Sequence, residues 1–182
     1  MIYMFLAEGF EEIEALCPLD LIRRAGLKIA TVGVGSKNIR GAHGITVEAD
    51  MTDTEYDALA DKSADMIFLP GGMPGTLNLA ASDTVTSAIK RAVSDDSYIA
   101  AICAAPSILG DMGLLCGREA ICYPGFEDRL SGAVISKDRL VLDGKILTAA
   151  GMGVALDMGL KIVEIFCGTS SSAQLRHAVI AD

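Results

Sequence analysis

One cysteine stands where an apolar run gives way to a helical pattern. In Ala100-Ala-Ile-Cys-Ala-Ala-Pro106 the run ends at Ile102, Cys103 follows, and small residues lead on. A nucleophile elbow has this plan: strand, reactive residue on a tight turn, helix. Small neighbours permit the crowded turn, and a helix N-terminus offers N–H groups and a positive dipole end that favour a thiolate. Taken locally, the same pattern also fits a buried structural cysteine.

Two further stretches carry matching chemistry. Leu69-Pro-Gly-Gly-Met-Pro-Gly75 follows a second apolar run. Glycines let backbone approach a substrate and aim N–H groups at it, so the N–H groups of Gly72 and Ala104 would form an oxyanion hole for a carbonyl attacked by Cys103. By itself the stretch also reads as an ordinary Gly/Pro turn. Gly9-Phe-Glu-Glu-Ile-Glu-Ala15 follows the first apolar run. Glu11 and Glu12 suit a first helical turn. Glu14 shares a helical face with Cys17, Pro18 and Leu21, and Pro18 is expected to kink or restart the helix there. A partly buried carboxyl at that place would have a raised pKa and could move protons. A solvated glutamate is the alternative.

The remaining candidates are read more plainly. Cys122 and Cys167 lie in apolar runs and are expected in the core, Cys17 beside Glu14, and Cys116 partly exposed. His43, in a Gly/Ala-rich loop, and His177, near the terminus, are expected at the surface.

These residues need a scaffold that gathers strand ends. Apolar runs at residues 1–6, 28–34, 65–69, 98–102, 119–122 and 145–149 read as strands. Helical patterns at 11–25, 82–93, 104–115 and 154–166 alternate with several of them. That alternation predicts an α/β fold, a mostly parallel sheet with helices on both faces, whose ligand sites lie at the carboxyl ends of the strands. Segments 134–136 and 139–142 are expected to pair as a hairpin across Lys137-Asp138. Asp143-Gly144 then turns the chain into 145–149. Residues 170–182 read as a final short helix or docked tail.

Totals narrow the function classes. A length of 182 residues suits one domain, 1–182, with a single core. The net charge of −9, without a basic cluster, argues against nucleic-acid or membrane-surface partners. Five cysteines without a CxxC pair argue against a disulfide framework or a zinc cluster, and no metal or cofactor motif is present. The apolar start meets Glu8 too soon for a signal peptide or membrane span, so cytoplasmic residence is expected.

The stretches EGFEEIEALCPLDLIRRAG, FLPGGMPG, AAICAAPSIL and LDGKILTAAGMG, in this order, resemble the ThiJ/PfpI family, closest to its Parkinsonism-associated protein deglycase branch. The resemblance implies a flavodoxin-like three-layer sandwich related to class I glutamine amidotransferases, and a homodimer. It implies that Cys103 is the nucleophile, Glu14 the acid beside it, and Gly72 and Ala104 the backbone donors. It places Arg24 near an anion pocket at a dimer interface. Two departures are visible. Ala104 stands where many relatives, proteases included, have a histidine after the cysteine. Tyr123-Pro124 stands where the amidotransferases and the nearest branch have His-Pro. Lacking both histidines, the site is not expected to act as a protease or amidotransferase, and Tyr123 is a weak base at neutral pH. The implied function is a slow glyoxalase or deglycase acting on a small aldehyde such as methylglyoxal, without cofactor. The alternative is an oxidative-stress sensor or chaperone-like protein working through oxidation of Cys103.

Overall fold

A computed structural model describes residues 1–181. The chain begins with β1 (Ile2–Leu6), α1 (Glu12–Arg24) and β2 (Ile29–Gly33). It continues through β3 (Asn38–Arg40), β4 (Thr46–Glu48), β5 (Met51–Thr52) and α2 (Asp53–Asp57). Next come β6 (Met66–Leu69), α3 (Gly75–Ala80), α4 (Asp83–Ser94), β7 (Tyr98–Ile102) and α5 (Pro106–Asp111). The last part comprises β8 (Glu119–Ala120), β9 (Val134–Ile135), β10 (Leu140–Asp143), β11 (Ile146–Ala149), α6 (Ala155–Cys167) and α7 (Thr169–Ala178).

The central sheet runs β10-β11-β7-β6-β1-β2-β5, parallel throughout except for β10 on β11. Its inner strands are buried on both faces, and the period-2 pleat divides their side chains between two cores. From β1, Tyr3 and Phe5 enter one core while Ile2, Met4 and Leu6 enter the other. In β6, Ile67 and Leu69 oppose Met66 and Phe68 in the same way. One core is closed by α4 and α5 through Val85, Ile89, Ile108 and Leu109, the other by α1 and α6 through Ile22, Met158 and Ile162.

Three expectations change. Segments 134–136 and 139–142 do not pair: β9 runs parallel to β8 outside the main sheet, while β10 pairs antiparallel with β11 across the Asp143-Gly144 turn. The helix expected over 104–115 is only α5, because Met112 caps it and Gly113 follows at φ +73°. α1 continues through Pro18 without restarting. The short elements β3, β4, β5, α2 and α3 were not evident from the sequence pattern, being too short or too polar to show a period. The final segment forms α7, and Asp182 lies outside the described residues.

Candidate active site

Strand order reverses direction between β1 and β6: from β1 the chain crosses to β2 on one side, and from β6 to β7 on the other. A crevice opens at the carboxyl ends of such a pair. The first turn of α1 enters it after β1, the glycine loop after β6, and Cys103 after β7.

Cys103 has φ +65°, a left-handed conformation that costs a non-glycine residue on the order of 1–3 kcal/mol. Its N–H donates to the Ala149 carbonyl at 2.8 Å, and its carbonyl accepts from Tyr123 N–H at 2.8 Å. The elbow is thus tied to both neighbouring segments. The N–H groups of Ala104 and Gly72 lie close enough to the sulfur to favour its charged form. Gly72 sits at φ +93°, where a Cβ would stand 2.3 Å from the Glu11 nitrogen, so only glycine fits.

Glu14 is fully buried. Its Oε2 accepts from Gly71 N–H at 3.0 Å, and its Oε1 has no well-formed hydrogen bond among the described residues. The Cys103 thiol and Met152 N–H still lie close enough to favour its charged form. Burial dominates and, with the charge of Glu11, pushes the carboxyl up to about 7. That is where a carboxyl exchanges protons most readily at neutral pH.

The thiol corrects an expectation. Burial first, then the charge of Glu14 and the hydrogen bond to it, push Cys103 up to about 12, against the opposing N–H groups of Ala104 and Gly72. The expected dipole effect has little to work with, because α5 is only six residues long and the sulfur is partly buried. Burial and mutual repulsion disfavour ionising both members of this pair. The thiolate therefore depends on Glu14 holding the proton.

Tyr123 reaches the same space. A Cβ added at Gly151 would stand 3.3 Å from the Tyr123 ring and 3.9 Å from Glu14 Oε1. Its ring is half exposed. Arg24 does not reach the site. It lies ten positions beyond Glu14 on α1, roughly 15 Å away at the helical rise, and pairs with Asp20 at 2.5 Å.

Cys17 lines a separate cavity with Asp20, Leu21 and Arg24 instead of the Glu14 crevice. Cys122 is in the core and Cys116 exposed, as expected, but Cys167, at the end of α6, is only partly covered. His43 and His177 are both exposed. Sequence reasoning missed the roles of Gly71, which separates Glu14 from Cys103, and of Glu11, whose charge acts on Glu14. The Gly71-Gly72 doublet was the available signal for the first.

Comparison with known proteins bears on the family and the fold. A family model described as the DJ-1/PfpI family matches residues 1–165. DJ-1 homolog B of Arabidopsis thaliana is 33% identical over 178 residues, covering 96% of this chain and 40% of that protein. The chain spans less than half the length of the two Arabidopsis relatives. Protein dj-1beta of Drosophila melanogaster is 31% identical over 180 residues, 97% of this chain and 95% of that one. A Caenorhabditis elegans protein named glutathione-independent glyoxalase DJR-1.2 is 29% identical, covering 92% of this chain and 89% of its own. Among solved structures, oxidised DJ-1 of Toxoplasma gondii superposes with a TM-score of 0.92 at 29% identity, over 98% of this chain and 97% of that one. The flavodoxin-like α/β fold is thus shared with DJ-1 proteins.

Proposed function

This chain belongs to the DJ-1/PfpI family, and on that premise we propose that it is a cysteine-dependent, cofactor-independent enzyme of the glyoxalase or deglycase type that takes methylglyoxal to lactate. One observation carries the reading: a buried carboxyl poised at about 7 beside a thiol at a strained elbow.

The reaction needs a nucleophile, an oxyanion site and one mobile proton. Ionised Glu14 accepts the thiol proton as the sulfur of Cys103 adds to the aldehyde carbon. The new alkoxide sits against the N–H groups of Gly72 and Ala104 and takes that proton, giving a hemithioacetal. Glu14, again ionised, removes the hydrogen from this carbon and returns the proton to the neighbouring carbon, while the hydroxyl proton passes to the neighbouring oxygen through the enediolate. The product is a lactyl thioester. Water hydrolyses it, releasing lactate and the thiol. The sum is methylglyoxal plus water to lactate, with no net oxidation.

Tyr123 replaces the histidine that would assist these steps, so turnover is slow. The exposed apolar side chains of Ile13 and Met152, beside Glu14 and Gly151, support a homodimer formed across this face. The five free cysteines suit a reducing, cytoplasmic setting. Among the described residues, no helix is long and apolar enough to cross a membrane.

A second reading has its own support. The N–H groups of Ala104 and Gly72, with a protonated Glu14, present three donors around the sulfur and would stabilise a sulfinate. That suits the oxidative-stress sensor or chaperone-like alternative. A lactate assay on wild type and Cys103→Ser separates the readings. The enzyme reading expects glutathione-independent lactate from wild type and none from the variant. No lactate from wild type, with clean conversion of Cys103 to the sulfinate under peroxide, replaces it with the sensor.

A further inference from the structure

At the rim of the crevice, one cluster joins residues from two segments. Glu11 and Glu12 open α1, and His43 sits in the turn between β3 and β4. His43 Nδ1 lies 3.1 Å from Glu12 Oε2 and 3.3 Å from Glu11 Oε2. All three donor atoms lie within 4.8 Å of one another.

We propose that Glu11, Glu12 and His43 form a binding site for a divalent cation of the zinc class, with water completing the coordination.

The spacing fits. Tetrahedral zinc with bonds of about 2.0–2.1 Å separates its ligand atoms by roughly 3.3 Å, which is how His43 Nδ1 stands from both carboxylate oxygens. One imidazole and two carboxylates form a ligand set common at open zinc centres.

The anchoring fits too. Glu12 is 3% exposed. Its Oε1 accepts from His43 N–H at 2.9 Å and Ile45 N–H at 3.3 Å, leaving Oε2 turned to the imidazole. Such outer bonds orient a ligating carboxylate. Gly41 packs against the same carboxylate so closely that a Cβ there would stand 2.3 Å from Oε1, which holds the turn on α1. Glu11 is mostly buried, whereas His43 is exposed and leaves an open side for water.

The charges favour a cation. The helix end opposes it with about half an elementary charge, but two carboxylates outweigh that. The Arg40 guanidinium lies against Gly44 in the same turn. The proton is a competitor. An imidazole must be deprotonated to ligate a metal. Cation affinity must therefore fall as pH drops.

Equilibrium dialysis of the full chain against Zn²⁺ alone tests the site. Cys103→Ser is the background, so the reactive thiol contributes nothing. We expect one Zn²⁺ per chain near neutral pH. His43→Ala should weaken binding by about tenfold or more, Glu11→Gln should also weaken it, and so should mildly acidic buffer. His43 is exposed and Glu11→Gln keeps the side-chain shape, and unchanged circular dichroism confirms that the variants fold. Stoichiometry and affinity unmoved by His43→Ala, or no saturable binding, overturns the proposal. Because the readout is binding, it stands or falls independently of the aldehyde chemistry.

Discussion

Glu14 and Cys103 meet across a single glycine. A side chain at Gly71 would place its Cβ 2.5 Å from Glu14 Oε2 and 2.6 Å from Cys103 Cβ. The acid and the sulfur are close enough to hydrogen bond because nothing larger than hydrogen stands between them.

Gly71→Ala tests that closeness directly. Both contacts fall well inside van der Waals distance, and neither residue is free to move, since Glu14 is fully buried and Cys103 is fixed through its own N–H and carbonyl. Overpacking of this kind costs about 1–3 kcal/mol. The variant should melt several degrees lower and lose lactate production. A melting temperature equal to wild type would show that the crevice is looser than described.

Glu14→Gln should divide thiol reactivity from catalysis. The amide removes the negative charge and offers an N–H donor, so two of the causes that raise Cys103 disappear or reverse. The thiol pKa falls, and each unit of fall gives roughly tenfold more thiolate at neutral pH. Iodoacetamide labelling of Cys103, followed by mass spectrometry, should therefore accelerate while turnover is lost. Slower labelling in the variant would mean that Glu14 activates the thiol through some other route.

Stability should report the same carboxyl. In the unfolded chain Glu14 loses its proton near the ordinary glutamate value, while in the folded chain it keeps it to about 7. The folded state therefore binds more protons between those values, and stability falls as pH rises through the interval. The full difference is on the order of 3 kcal/mol. Other carboxylates, such as Glu12, shift the opposite way, so the comparison with Glu14→Gln isolates the contribution. Urea unfolding at about pH 5 and about pH 8 should show wild type losing more stability than the variant over that range. Parallel changes in the two chains would place the Glu14 proton affinity near its ordinary value.

The sequence revealed what depends on pattern and order. The runs that became β1, β6, β7 and β11 stand out because strands buried on both faces are continuously apolar. The site followed, since all its motifs lie at strand ends. The distal features were hidden because they depend on three-dimensional neighbours. Nothing local to Cys103 shows that it is half-buried beside the Glu14 carboxyl, so its raised pKa could not be read in advance. Nothing local to His43 shows that a turn folds it onto Glu11 and Glu12. Arg24, expected from the resemblance near an anion pocket at a dimer interface, stands on α1 away from the crevice, beside Asp20 and Cys17.

Tyr123 offers the most specific test of the proposed chemistry. Its ring borders the space that holds Glu14 Oε1, and its backbone N–H, independent of the side chain, holds the Cys103 carbonyl. A phenol with a pKa of about 10 is almost wholly protonated at neutral pH, whereas an imidazole of about 6.5 accepts and returns protons there. The ring is half exposed, so replacement leaves the core untouched. Tyr123→His should therefore supply a second proton-transfer group beside Glu14. A general acid–base group contributes about 10²–10⁴-fold, and the low end is expected for one added to a site shaped around tyrosine. Lactate production from methylglyoxal should rise in Tyr123→His and vanish again in Tyr123→His combined with Cys103→Ser. Its pH profile should gain an inflection in the histidine range. A rate equal to or below that of wild type, with the fold intact, would show that proton transfer at this position does not limit the reaction.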